Sequence, residues 1–261
     1  MRYFLALLLC CCLATAWACG PLRLAYHPHP GLFERLPDGE MRGMDVEVAR
    51  EIGRRTGCSF TPVPESSARA WGQLLEGNID IMPAALYLPE RETEVDYLVL
   101  LRTRQMLLVR RSAVPATRKG FDEEPQLLVG SVKGARYPAA LQTWLDGMKD
   151  KGRLAEAGDT PALLRAFEGG RVDGAVLYPL ALTGRSAEWM ARHQLFDWWP
   201  EHSSAGGWAV SHRTVPAEQR ARIRQAALDM LRDGTLQRLA RQNLGDALSS
   251  HYQYLDAKQQ P

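Results

Sequence analysis

The chain has 261 residues, 46% of them apolar, and 32 Lys and Arg against 30 Asp and Glu leave a net charge of +2. That near balance gives no bulk electrostatic reason to bind nucleic acid or an anionic membrane surface. The length suffices for two lobes with separate cores, and beyond residues 1–18 no apolar run approaches the roughly twenty residues of a membrane span.

Residues 1–18 read as a secretion signal. Arg2 is the only charge, "YFLALLLCCCLATA" is the apolar core, and Ala16-Trp17-Ala18 has the small–x–small form of a cleavage site. Cys19 follows Ala18 directly, so a lipid anchor at Cys19 is the competing reading. Ala16 stands where lipidation favours Leu, and bulky Trp17 follows it, which argues for cleavage and soluble release. Cleavage leaves two cysteines, Cys19 and Cys58. Each precedes a strand, "LRLAYH" and "SFTPVP", with one crossover helix between, and parallel strands joined this way start on the same sheet edge. In an oxidising compartment a bridge is expected, and closing about forty residues contributes roughly 3–4 kcal/mol.

The elements then alternate. Strand 22–27 comes first, followed by the proline-broken loop "HPHPGLFERLPDGEMRG". Asp45 is placed to cap a helix over 46–56, with Val46, Val48, Ala49 and Ile52 on its apolar face and Gly57 at its end. Strand 59–64, a helix over 68–76 capped by Ser66 or Ser67, and strand 79–84 complete a first α/β set. The turn "LPERETEVDY" leads to "QMLLVRR", an apolar strand with basic ends. After the polar segment 112–126, "QLLVGSV" opens a second set, followed by the Gly turn and helix of "KGARYPAALQTWLDGM". Thr160 caps the next helix, with Pro161 at its first position, and that helix runs into strand 172–177. "FDWWPEHSSAGGWAVSHRT" ends in another strand. Helices 216–233 and 235–244 follow, the second capped by Thr235, and the polar tail beyond Gly245 reads as frayed.

Two stretches of this order are one device used twice. "LLEGNIDIMPAAL" (74–86) and "AFEGGRVDGAVLY" (166–178) each finish a helix with a Gly suited to the left-handed conformation, then set an Asp before a short apolar strand. Aligning Gly77 with Gly170 places Asp80 on Asp173 and Leu74 on Phe167. A helix feeding a buried strand is a parallel-sheet unit, and ligands of such sheets bind beyond the strands' carboxyl ends. Two units behind an export signal suggest two α/β lobes with a ligand between them, lobe one from 19–104 and 208–261 and lobe two from 105–207, while one ordinary α/β domain with similar helix ends is the plainer alternative. "QMLLVRR" and "GWAVSHRT" are then the two strands that cross between lobes, as hinge closure requires.

Five segments in this order, "GMDVEVAREIGRRTG", "LLEGNID", "LPERETEVDY", "VGSVKG" and "MLRDGTLQRLARQNLG", resemble the bacterial extracellular solute-binding proteins of family 3, the amino-acid-type binding components of ABC importers. The resemblance spans residues 22 to about 245, and the paired cysteines and "ARAW" helix are similar to a divergent branch of it. It implies a two-lobe α/β, type II periplasmic binding protein of Venus-flytrap form, with a discontinuous first lobe and two crossing strands as hinge. It also implies a periplasmic monomer without cofactor, a small polar ligand, and an ABC permease as membrane partner.

Residue roles follow from the same resemblance. The Arg of the family's Thr-x-x-Arg turn, which grips an α-carboxylate, maps onto Arg91, and a planar guanidinium engages both carboxylate oxygens. The family's ammonium-binding Asp maps onto Tyr178, whose phenol cannot neutralise an ammonium ion in a closed cleft. The lobe-one hydroxyl maps onto Leu86, beside Ala85, the stacking aromatic onto Pro30, and the Phe-Ser-x-Pro-Tyr hinge approach onto "YLVLL". The second-lobe Gly-Thr turn maps onto Gly134-Ala135-Arg136, where amides at a helix N-terminus would favour an anion. The expected ligand set is Arg91, Arg69, Tyr178, Arg136, Trp71, Tyr137, Ala85 and Gly134. The expected ligand is carboxylate-bearing or amino-acid-like, and arginines with aromatics fit a small carboxylate, a dicarboxylate or an anionic aromatic compound better than a standard free α-amino acid.

Plainer readings stand beside these. Arg91 would be a solvated turn residue paired with Glu90 or Glu94, and Arg69 and Trp71 would pack on an outer helix face. His27 and His29 flank Pro28 with no third metal ligand at useful spacing, so no metal site is expected. An enzyme on the same scaffold, like the cyclohexadienyl dehydratases, needs a cleft acid or base, and the cleft-side candidates Glu34 and Glu65 have no recognisable partner. A ligand-sensing accessory protein without a transporter is the third reading.

Overall fold

A computed structural model describes residues 19–26, 31–111 and 115–255. The expectations for the leader, for His27 and His29, and for Pro30 lie outside the described residues. In chain order come β1 (Cys19–Tyr26), a hairpin of β2 (Glu34–Arg35) and β3 (Met41–Arg42), α1 (Met44–Thr56), β4 (Cys58–Pro64), α2 (Ser67–Glu76), β5 (Ile81–Leu86) and β6 (Val95–Thr103). Next are β7 (Met106–Arg110), α3 (Arg118–Glu123), β8 (Val129–Val132), α4 (Ala139–Asp150), β9 (Leu154–Ala157), α5 (Thr160–Glu168), β10 (Gly174–Leu177), α6 (Ala187–Arg192) and β11 (His193–Phe196). Last are β12 (Ser204–Ser211), α7 (Ala217–Arg232), α8 (Thr235–Leu244), α9 (Asp246–Ser249) and β13 (Gln253–Tyr254).

The strands form a six-stranded sheet in the order β13-β6-β12-β5-β1-β4 and a five-stranded sheet in the order β11-β7-β10-β8-β9. In the first, β1 runs parallel to β4 and β5, while β12 lies antiparallel between β5 and β6. In the second, β8 runs parallel to β9 and β10, and β7 is antiparallel to β10 and β11. This is the mixed α/β, two-sheet architecture that the alternating elements predict. Cys19 and Cys58 face each other at the start of β1 and β4 and are joined as a disulfide.

The repeated device has the same geometry in both sheets. Gly77 and Gly170 take left-handed φ angles of 83° and 72°, turning the chain from helix towards strand. Asp80 then accepts the backbone N–H of Arg23 at 2.6 Å while its own N–H donates to the Arg23 carbonyl at 2.9 Å. Asp173 does the same with Leu128, accepting at 2.9 Å and donating at 2.8 Å. Leu74 and Phe167 are both buried beneath these turns.

Several boundaries differ from the sequence expectation, each because a distant contact wins. Gly43, not Asp45, precedes α1, and Asp45 lies inside the first turn, where it accepts a hydrogen bond from Trp208 Nε1 at 3.1 Å. Ser66 caps α2 as one of the two candidates, but Asp159 rather than Thr160 caps α5, accepting from the Ala162 N–H at 2.7 Å. Gly234 precedes α8, and the Thr235 hydroxyl instead receives Arg55 Nη2 at 3.2 Å. The segment 95–103, read only as a turn and hinge approach, is the nine-residue β6 and pairs along its length with β12. The tail beyond Gly245 is not frayed through 255, since Tyr252 and Leu255 are buried and β13 extends the sheet at the β6 edge.

The passages between sheets are also shorter than the two whole strands expected. "QMLLVRR" supplies β7 within the five-stranded sheet, and β12 already belongs to the six-stranded sheet at Ser204. The chain crosses at Arg104–Gln105 and again over 197–203, and Arg104 Nη1 sits 2.7 Å from Asp197 Oδ2, tying one passage to the other.

Candidate functional site

The carboxyl ends of strands from both sheets converge on one cleft, where ligands of α/β sheets bind. Leu86 ends β5 and Arg102 lies one residue from the end of β6. Arg136 and Tyr137 follow β8, and Tyr178 follows β10. With Pro138 and residues 201–204 of the second passage they line a cavity of about 440 Å³.

Its electrostatics follow from what each group already holds. The Arg102 side chain has no ion pair or hydrogen bond among the described residues, although its backbone is fixed between Ala205 and Gln253. Arg136 is anchored by its carbonyl, which accepts from Gln105 Nε2 at 3.2 Å, and its guanidinium reaches Glu90 across the cleft at only 3.5 Å. The single acid in the lining, Glu201, has Oε1 3.3 Å from His202 Nε2. The cavity is therefore rich in guanidinium donors and short of carboxylates.

The two tyrosines play different parts. The Tyr137 hydroxyl accepts the Val132 N–H at 2.8 Å and donates to the Val132 carbonyl at 3.2 Å, so the end of β8 uses its polar atom and its ring remains for the cleft. Tyr178 reaches across to Ser204 Oγ at 3.1 Å. Burial pushes both phenols up from their usual range, so each is a neutral hydrogen-bonding group at ordinary pH.

The remaining expected ligand residues lie elsewhere. Arg69 is largely exposed and its Nε is 2.7 Å from Glu65, two residues ahead of α2. Ala85 is 1% exposed and its methyl group packs in the core, because alternation along β5 turns it away from Leu86. Gly134 adopts a left-handed φ of 73° after β8, but α4 starts only at Ala139, so no helix N-terminus stands behind that turn. Arg91 follows β5 in a one-turn helix, Pro89–Arg91, with its guanidinium over the Trp71 ring, and Trp71 packs in turn against Tyr97. The structure thus brings Arg136, Tyr137 and Tyr178 together and holds Arg91 and Trp71 as a second group on the six-stranded side.

Arg102, His202 and Ser204 were not anticipated. Reading "VDYLVLLRT" as a strand would have placed Arg102 at a carboxyl end, whereas "EHSS" carries no local signal. Glu34 and Glu65 do not reach the cavity: Glu34 accepts from the Gly31 N–H and Arg42 Nε, and Glu65 from the Ser66 N–H and Arg69 Nε. Among the described residues no group of three or more His, Cys, Asp or Glu is arranged to hold a metal ion, and no helix is long and apolar enough to cross a membrane.

The model of the bacterial extracellular solute-binding proteins, family 3, matches residues 22–246. Solved structures share the fold at low identity. A Streptococcus pneumoniae ABC uptake transporter substrate-binding protein with bound histidine is 15% identical, with a TM-score of 0.66 over 87% of this chain and 93% of that one. The ancestral amino-acid-binding protein AncCDT-1, described as a precursor of cyclohexadienyl dehydratase, is 18% identical with a TM-score of 0.63 over 85% and 94%. A histidine kinase sensor domain similar to periplasmic binding proteins is 16% identical with a TM-score of 0.65 over 87% and 97%. No curated protein matches the chain.

Proposed function

Because the chain belongs to the bacterial extracellular solute-binding proteins of family 3, we propose that it captures a small carboxylate-bearing solute in this cleft, in the periplasm, for delivery to an ABC permease. One observation carries the ligand class. Arg102 lines the cavity with no ion pair or hydrogen bond on its side chain among the described residues, and Arg136 meets only Glu90, at 3.5 Å, so an anion would find two guanidinium groups to engage. Ser204 and Tyr178 add neutral hydrogen-bonding groups that would orient it.

A free α-amino acid fits this lining poorly. Its ammonium group would be buried near two guanidinium groups and a phenol, with Glu201 as the one acid among the described lining residues. Closure is then a population shift, driven by the contacts that Arg136, Tyr137 and Tyr178 add from the five-stranded side once the solute has met Arg102. Glu34 and Glu65, the acids considered for the enzymatic alternative, are engaged on the six-stranded side and do not line the cavity.

Thermal-shift screening separates the classes. A carboxylate present at a hundredfold excess over its Kd should stabilise the fold by about 2.7 kcal/mol. Mono- and dicarboxylates should raise the melting midpoint and free amino acids should not. Stabilisation by amino acids alone would overturn the ligand class.

A further inference from the structure

A second basic site lies at the opposite end of the five-stranded sheet. In the β7–β10 pair, Leu177 faces Met106 at the cleft end and Gly174 faces Val109 at the other, which puts Arg110 at the pole away from the cleft. There Arg110, Arg111, Arg192, His193 and Trp189 surround a groove of about 590 Å³ whose only acid, Glu168, is held by Arg185 at 2.6 Å.

The groove is built rather than incidental. His193 stacks on the Trp189 ring with centroids 3.8 Å apart, and the Arg185 guanidinium lies 5.1 Å from the same ring. Arg111 donates its Nε to the Ala191 carbonyl at 3.1 Å, which fixes the side chain, and among the described residues neither Nη group has a hydrogen-bond partner. Arg192 contacts Glu188 at 3.4 Å, with both side chains mostly in solvent, and such exposed pairs hold little. None of these residues serves the cleft.

Composition and shape point to the occupant. Tryptophan and arginine are the residues that dominate interface energies, and guanidinium forks pair best with carboxylates. The molecule carries a net charge of only +2, so this cluster is a local feature rather than part of a general basic surface. Arg192 stays 65% exposed in its side chain, so the guanidinium groups of the groove can be reached by a chain lying across it. Among the described residues the only large exposed hydrophobic is Leu75, on α2, so nothing at the groove would enter a bilayer. We propose that this groove docks an acidic, extended segment of a partner protein, and that its place opposite the cleft lets the partner bind without blocking solute exchange.

The test uses the full chain and a fluorescein-labelled octaglutamate peptide, read by anisotropy at low and physiological salt. Arg111→Glu/Arg192→Glu should weaken binding at least tenfold, and Trp189→Ala, which leaves charge unchanged, at least threefold. The charge-matched control Arg118→Glu/Arg238→Glu, at exposed positions elsewhere, should change it less than twofold. Melting curves should confirm that all three variants fold. Equal losses in the two charge-reversed variants would mean bulk attraction and overturn the proposal, as would no detectable binding or full affinity in Trp189→Ala. Displacement of the peptide by benzoate as readily as by unlabelled octaglutamate would mark a small-anion site and overturn it too.

Discussion

The Arg91 guanidinium lies 4.0 Å above the Trp71 ring centroid, and its buried Nη1 has no hydrogen-bond partner among the described residues. An aromatic face therefore holds this charge where a carboxylate from Glu90 or Glu94 was the plain alternative; Glu90 reaches Arg136 instead. A cation held this way keeps its capacity for a new anionic acceptor. Arg91→Ala should weaken carboxylate binding about tenfold in calorimetry while leaving the free protein's melting midpoint within a few degrees. Unchanged affinity would make Arg91 a packing residue.

Asp45 should make stability fall as pH rises. Burial pushes its carboxyl up to about 6, against which the Trp208 hydrogen bond works only in part. A raised folded pKa means the penalty is absent below the unfolded value near 3.8 and complete above about 6. At neutral pH it amounts to roughly 3 kcal/mol. Asp45→Asn should raise the melting midpoint by several degrees at pH 7.5 and match wild type near pH 4. A constant difference between the two proteins across that window would contradict this.

Asp80 works with the opposite sign. Burial acts to raise its pKa, yet the side-chain and backbone hydrogen bonds from Arg23 hold it below the ordinary carboxylate range. Its contribution is present above the unfolded pKa and lost as pH falls through the folded one. Asp173 has the same place, but among the described residues its carboxylate has only the Leu128 N–H as partner. Urea titrations should show Asp80→Ala costing more than Asp173→Ala, by 1 kcal/mol or more, since it also strands Arg23. Equal costs would deny that the arginine matters.

The Cys19–Cys58 bridge closes 39 residues of separation at the sheet edge. Reduction, or a Cys19→Ser/Cys58→Ser variant, should lower unfolding free energy by roughly 3–4 kcal/mol in the chain-entropy account. Ligand affinity should hold, because the bridge lies at the amino ends of β1 and β4, away from the cleft. A comparable loss of affinity would mean that the bridge positions the site.

Local chemistry made the helix-to-strand turns legible. Gly77 with Asp80 and Gly170 with Asp173 stand at one fixed spacing, and each Asp accepts a backbone N–H, from Arg23 within β1 and from Leu128 just ahead of β8. The cysteine pair was legible because a parallel crossover fixes which ends of its strands meet. What escaped depended on partners far away in sequence. Asp45 looks like a cap until Trp208, 163 residues on, claims its carboxylate. Tyr254 and its polar neighbours become a strand only against β6, with Tyr254 facing Leu101. Arg102 was missed because the apolar run before it was read as a hinge approach rather than as a strand, and Arg69, expected at or beside the cleft, is tied by the fold to Glu65.

A calorimetric titration of one stabilising carboxylate into wild type, Arg102→Ala and Arg136→Ala is the most direct test. Capture between the two sheets predicts one solute per chain and at least a tenfold weaker Kd in each variant, one from either side of the cleft. Affinity retained in both variants would contradict it, since the solute would then be held without the two guanidinium groups that line the cavity.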